Sequence, residues 1–339
     1  QATVKTNQHI EMELAPGSLG SNLINSVFSA FEVAFLDLQA RTFGIPLVEL
    51  LGGKIRNQVA YSAYLFYKWD ASIDSEYSSD PYGEAITSEQ IVRQATQMIK
   101  EFGFESIKLK AGVFEPLEEV EAILALKKAF PNHQIRIDPN SNWTLETSIK
   151  VAEKLANCLE YYEDPTPTLE GMAELHQRTG LPLATNMVVT NWDELKRGIE
   201  LNSVQIILSD HHYWGGLRAT QALAKTCQTF GLGLSMHSNS HLGISLMAMT
   251  HLAASVEHLS YACDTHYPWQ QDEILVGGKI PIKNGSVHLS EEPGLGVHID
   301  QSQLAKLHEN YLKCRIRTRN DVAQMQRYKP DWKQIKPRF

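Results

Sequence analysis

From Thr87 to Asp264 the chain repeats one pattern, a short apolar run followed by a longer one whose apolar residues fall at helical spacing. The short runs read as strands at Ser106 to Lys110, Gln134 to Asp138, Leu159 to Glu163, Pro182 to Asn186, Val204 to Ser209, Leu232 to Met236 and Leu259 to Asp264. Helices are expected between them, near 116–130, 144–156, 169–179, 193–201, 217–230 and 244–256. Another precedes them: Thr87 can cap it, Gln90 is placed for a capping box, and Gly103 ends it. Strand starts recur about every 22–28 residues, and alternation at that period makes βα units on a parallel sheet. Seven or eight such units fit a (β/α)8-type barrel better than an open doubly wound sheet. The open sheet more often shows a GxGxxG after its first strand, and this sequence has none.

The flanks break the rhythm and are expected outside the barrel. Asn22 to Phe43 reads as a helix stopped by Gly44, Val59 to Phe66 as a strand, and 69–86 as a surface loop. The expected division is 1–86 as part of a cap, 87–275 as the barrel, and 276–339 as a segment completing both. Composition narrows the function classes. With 43% hydrophobic and 21% charged residues, disordered and collagen-like chains are excluded. The net charge is −8 and Lys and Arg form no run, which argues against nucleic acid as a partner. The four Cys (Cys158, Cys227, Cys263, Cys314) lie far apart with no CxxC, which argues against a disulfide framework and fits a reducing cytosol. No membrane span is expected, because no run of about 18 apolar residues occurs. The sequence starts at Gln1 rather than Met and reads as a processed chain or a fragment.

In a barrel of this kind the chemistry sits at the C-terminal strand ends. Those ends carry Lys108 and Lys110, Asp138 and Asn140, Glu163 and Asp164, Asn186, Asp210, His237 and Asn239, and Asp264 and His266. Lys108 and Lys110 are two apart on one strand, so both ammonium groups face one side. Two crowded, partly desolvated cations are expected to have depressed pKa values, and such a Lys can act as a base. Asp138, Glu163 and Asn186 end three consecutive strands, and three hard oxygen ligands suit Mg²⁺. The bland alternative, helix N-caps, stays open for each of them. Asp210 and His237 form a carboxylate–imidazole pair, in which the carboxylate fixes the tautomer and raises basicity. A cation pair, an oxygen triad and a His–Asp dyad around one mouth suit removal of a proton α to a carboxylate.

In these segments the chain resembles the enolase superfamily, and most closely its glucarate dehydratase group. The matching segments are Phe104-Glu105-Ser106-Ile107-Lys108-Leu109-Lys110-Ala111-Gly112, Arg136-Ile137-Asp138-Pro139-Asn140, Tyr162-Glu163-Asp164-Pro165 and Ala184-Thr185-Asn186-Met187. Further on come Leu208-Ser209-Asp210-His211-His212-Tyr213-Trp214, His237-Ser238-Asn239, Asp264-Thr265-His266 and Pro293-Gly294-Leu295-Gly296-Val297. The resemblance implies an α/β fold, a modified TIM barrel of (β/α)7β type with an α+β capping domain incomplete at its N-terminus. It implies Lys110 as one base and His237, held by Asp210, as the opposed base or acid. It places Lys108 against the substrate carboxylate, and Mg²⁺ on Asp138, Glu163 and Asn186. Asn140, Asn239, His266, Tyr64 and Arg319 match positions that contact a hydroxylated substrate. The segment after Glu163 is short against the family, which makes Glu170 the fallback for the second ligand.

The implied activity is that of a cytoplasmic lyase acting in carbohydrate catabolism. It would dehydrate a hexarate dicarboxylate such as D-glucarate or L-idarate to a 5-keto-4-deoxy-hexarate, in a homo-oligomer with no nucleic-acid or membrane partner. Two opposed bases also permit a hexarate epimerase or racemase. A weakly active or non-catalytic homologue is the remaining alternative.

Overall fold

The computed structural model describes residues 20–73, 79–316 and 320–339. Its strands are β1 (Gln58–Ala60), β2 (Ala63–Phe66), β3 (Ser106–Lys110), β4 (Gln134–Asp138), β5 (Tyr161–Glu163), β6 (Leu183–Thr185), β7 (Ile206–Ser209), β8 (Gly233–Met236) and β9 (Ser286–His288). Strands β2 to β8 make one parallel sheet whose spatial order is the chain order. A helix stands between each successive pair. Winding in one direction curls such a sheet toward a barrel. The helix starts follow the expected chemistry. Thr87 and Gln90 form a reciprocal capping box on helix Ser88–Phe102, and Gly103 closes it at φ +75°.

Two differences from the sequence-based expectation concern the ends of the sheet. Val59 to Phe66 is not one strand of a cap. β1 pairs antiparallel with β9, whereas β2 pairs parallel with β3, so the barrel sheet begins ahead of residue 87. The chain changes partner at Tyr61–Ser62, where Tyr61 N–H donates to Gly285 O and Ser62 N–H to Cys263 O. At the other end, Leu259 to Asp264 is reduced to an isolated bridge between Tyr61 and Cys263. It still joins the two edges: Ser260 and Asp264 N–H donate to Leu234 O and Met236 O of β8, and Cys263 N–H donates to Ala60 O. A regular ladder fails there because Ala262 O is taken by side chains, Arg136 Nη1 at 2.9 Å and Ser235 Oγ at 2.9 Å.

Side-chain alternation along the strands positions the chemistry. Ile107, Leu109, Ile135, Ile137, Tyr162, Leu183, Ile207 and Leu234 join the large core beneath the helices. Tyr161, Ala184, Ile206 and Leu208 form a separate cluster on the other face. Residues in phase with this second set include Lys108, Lys110, Arg136, Asp138 and Glu163, so a period of two sends the charged groups into the barrel interior. Gly112 lets two of the loops close over them. Its φ is +76°, and a Cβ there would lie 2.4 Å from Pro139 O and 2.9 Å from Asn142 Cβ. We expect Gly112→Ala to cost about 2 kcal/mol or more of unfolding free energy, read from the denaturant midpoint.

Helix Gly20–Phe43 lies outside the barrel. Its Asn25 amide donates to Tyr213 O, and its Glu32 carboxylate accepts from Leu217 N–H at the start of helix Leu217–Phe230. A carboxylate is favoured there by the helix dipole. By length and composition Asn22–Phe43 could cross a membrane, where no span was expected. Val33, Leu36 and Ala40 are buried, whereas Leu23, Ile24, Val27, Phe28, Phe31, Phe35 and Leu38 are exposed.

Candidate active site

Lys108 and Lys110 both point inward from β3, as their spacing requires, but they are not equivalent. Lys108 is fully buried. Its Nζ lies 2.5 Å from Glu163 Oε1, 2.6 Å from Asp264 Oδ2 and 3.7 Å from Asp138 Oδ2. Burial alone would pull its pKa down, but the charges of Asp264 and Glu163 outweigh burial and hold it well above the ordinary value. The expected depression is therefore reversed at Lys108, because three carboxylates rather than a second ammonium dominate its surroundings. Lys110 reaches further toward the mouth. Its Nζ donates to Asp138 Oδ2 at 2.5 Å and Asn140 Oδ1 at 2.9 Å, and its side chain keeps 24% of its surface exposed.

Asp138, Glu163 and Asn186 come together around the lysines. Asp138 is buried, yet Lys110 and Lys108 outweigh burial and hold its carboxyl below the ordinary range. Glu163 is pushed the other way, first by burial and then by Asp138, with Lys108 opposing. Its Oε2 is buried and has no hydrogen-bond partner among the described residues. Asn186 Nδ2 donates to Glu163 Oε1 at 3.3 Å. Asp164, at φ +36°, fixes this end by accepting Thr185 Oγ1–H at 2.6 Å and Asn186 N–H at 2.8 Å. Burial raises Asp164 to about 7 against those bonds. Two carboxylates and an amide, with one orphaned carboxylate oxygen, form a donor set that fits a hard divalent cation. Glu170, the fallback, is not brought here; it is exposed and pairs with Arg197.

On the other side, His237 Nδ1 lies 3.1 Å from Asp210 Oδ2. Asp210 has a second imidazole that the sequence-based assignment did not single out. Its Oδ1 lies 2.6 Å from His212 Nδ1 and also accepts His212 N–H at 2.9 Å, while His212 Nε2 lies 2.9 Å from Ser245 Oγ. Burial would raise the Asp210 pKa, but the bonds from His212 and His237 hold it well below the ordinary value. Burial lowers His212, and Asp210 outweighs it, leaving His212 raised.

The expected substrate contacts divide into three groups. Asn140 lies on Lys110, and Tyr64 OH lies 3.4 Å from Asp138 Oδ2. The His266 ring packs edge-on to Tyr64 at 4.3 Å, with its Nε2 unpartnered among the described residues. Asn239 donates to Tyr213 OH, whose ring centroid lies 6.0 Å from that of His237. Arg319 lies outside the described residues. The sequence-based assignment missed two charges. Asp264 stood at a strand end, a usable signal, and proves to be a direct partner of Lys108. Lys336, in the C-terminal segment, lies in the fields of Lys110, Asp138 and Asp164, and its pKa is lowered first by burial and then by Lys110. That segment is pinned beside β4, where Arg338 N–H donates to Asn142 O at 2.7 Å and Thr144 N–H to Phe339 O at 2.5 Å.

Comparison with known proteins identifies the family. Residues 90–303 match the family model described as Enolase C-terminal domain-like. The chain belongs to the enolase superfamily. Within this superfamily it is 50% identical over 310 residues to a Streptomyces coelicolor protein described as a probable glucarate dehydratase, covering 91% of this chain and 72% of the relative. A solved enolase structure from Pseudomonas fluorescens, with bound magnesium, potassium and tartrate, superposes with a TM-score of 0.97 at 62% identity. That match covers 100% of this chain and 79% of the other. An enolase from Gibberella zeae, complexed with magnesium, formate and sulfate, gives a TM-score of 0.90 at 51% identity over 93% of this chain and 74% of its own.

Proposed function

We propose that this enolase-superfamily chain is a magnesium-dependent lyase that dehydrates a hexarate of the D-glucarate or L-idarate type to a 5-keto-4-deoxy-hexarate. One observation carries the reading: Lys110 lies on Asp138 of an oxygen-donor triad whose Glu163 Oε2 is buried and unpartnered among the described residues, and the His237–Asp210 pair stands at later strand ends of the same sheet. Asp138, Glu163 and Asn186 would hold the cation, which when bound supplies positive charge against the substrate carboxylate. Magnesium in related solved structures and the 50% identical relative support this assignment.

The residues divide the work. Lys110 Nζ takes the proton from the carbon α to a carboxylate, and the C–H electrons pass into an enediolate. Lys108, fixed by Glu163 and Asp264, faces that charge from behind without exchanging a proton. The enediolate collapses, the β-carbon–oxygen bond breaks, and His237 gives a proton to the departing hydroxide. The resulting enol becomes the keto acid, so one water is lost overall. Asn140, Asn239, His266, Tyr64 and Arg319 are proposed to hold the hydroxylated chain. Action as a homo-oligomer in a reducing cytoplasm is the setting proposed with it, in keeping with four free cysteines.

Two candidate bases, Lys110 on β3 and His237 after β8, favour one second reading, epimerisation. Solvent deuterium separates the two. Dehydration forms a keto acid in step with substrate loss. Exchange into recovered hexarate with no keto acid would establish the epimerase instead.

A further inference from the structure

Beside the dyad lies a second group of ligand-type side chains, and the proposed reaction leaves part of it without a role. Asp210, His211 and His212 follow β7, and one ligand atom of each lies within 4.8 Å of the others. His211 is 2% exposed, and its Nδ1 has no hydrogen-bond partner among the described residues. His241, past β8, lies in the fields of Asp210 and His212, and both its ring nitrogens are buried and unpartnered among the described residues. Buried polar atoms are normally satisfied. Unpartnered ring nitrogens on His211 and His241, both in the field of Asp210, suit a ligand that imidazole can hold. A Lewis acid that accepts nitrogen donors suits them, because each neutral imidazole offers one lone pair.

We propose that Asp210, His211 and His212, with His241 beside them, form a second cation site that takes a borderline divalent metal such as Zn²⁺. Imidazole nitrogen suits Zn²⁺, whereas the Asp138–Glu163–Asn186 set offers only oxygen and suits Mg²⁺. The two sites therefore sort the two ions by ligand chemistry. Occupancy engages Asp210, which also holds His237, so the cation acts as an inhibitor. That consequence rests on the proposed role of the dyad; the binding itself does not.

The test titrates Zn²⁺ into the full chain with Mg²⁺ in excess, by calorimetry and by X-ray absorption at the zinc edge. The expected result is one tightly bound zinc with nitrogen and oxygen neighbours at about 2.0–2.1 Å. His211→Leu should weaken it by at least about tenfold and leave Mg²⁺ binding unchanged. His241→Gln is the second variant, in case His211→Leu does not fold by circular dichroism. Inhibition by Zn²⁺ should be relieved in step with the lost affinity. No zinc bound in excess Mg²⁺, or equal zinc affinity in wild type and the folded variants, overturns the proposal. Both binding readouts need no substrate, so failure of the proposed dehydration is seen separately.

Discussion

Replacing Glu163 by Gln should lower turnover by about 10²–10³-fold and weaken Mg²⁺ binding, with the fold intact. The substitution keeps the shape of the side chain and its capacity to accept from Lys108, but removes the charge and turns one oxygen into a donor. The orphaned Oε2 is the atom most affected, because an N–H₂ in its place offers nothing to a cation. Asp138→Asn should act in the same direction and also loosen Lys110, whose ammonium lies 2.5 Å from Asp138 Oδ2. Glu170→Gln is the control. Its carboxylate is exposed and paired with Arg197, and it should leave Mg²⁺ affinity and turnover unchanged. Calorimetry with Mg²⁺ and a steady-state assay read both quantities. Loss of Mg²⁺ binding in Glu170→Gln but not in Glu163→Gln would move the second ligand to Glu170.

The second large effect concerns the two bases. Lys110→Met and His237→Gln should each cost about 10²–10⁴-fold in kcat. They should not do so uniformly across substrates. A base can reach only the proton on its own face of the α-carbon, so hexarates of opposite configuration there should respond to different substitutions. Exchange of the α-proton with deuterium, followed by NMR, should be lost for one configuration in Lys110→Met and for the other in His237→Gln. Equal loss on every substrate would mean that each substitution merely disrupts the pocket. Lys108→Met is not a third base variant. Lys108 neutralises Glu163 and Asp264 in a sealed site, and its removal leaves uncompensated buried charge.

Much of the scaffold was legible because it rests on local signals. The limits Ser106–Lys110, Gln134–Asp138 and Leu169–Thr179 follow from apolar periodicity, and Thr87, Gln90 and Gly103 mark helix ends by their own chemistry. The candidate set was legible for the same reason, since strand-end position and a period of two need only the sequence. Features that depend on distant partners were not legible. Whether Val59 to Phe66 is one strand or two depends on Gly285 and Cys263, more than 190 residues away. The state of Lys108 depends on Asp264, 156 positions on. Lys336 sits in a segment with no periodic pattern, and only the docking of Arg338 and Phe339 beside Asn142 brings it to the mouth. His211 and His212 stood inside a quoted motif, yet nothing in the motif separates one imidazole that bonds Asp210 from another whose Nδ1 has no partner among the described residues.

The central claim is that this barrel mouth removes an α-proton from a hexarate with magnesium and then expels the β-hydroxyl. The most direct measurement incubates the full chain with D-glucarate, L-idarate and galactarate, with Mg²⁺ and with a chelator, and follows keto-acid formation. The account predicts a keto product from at least one hexarate, formed only with Mg²⁺ and lost in Lys110→Met and His237→Gln. No keto acid from any of the three in the presence of Mg²⁺, or equal formation with the chelator, would contradict it.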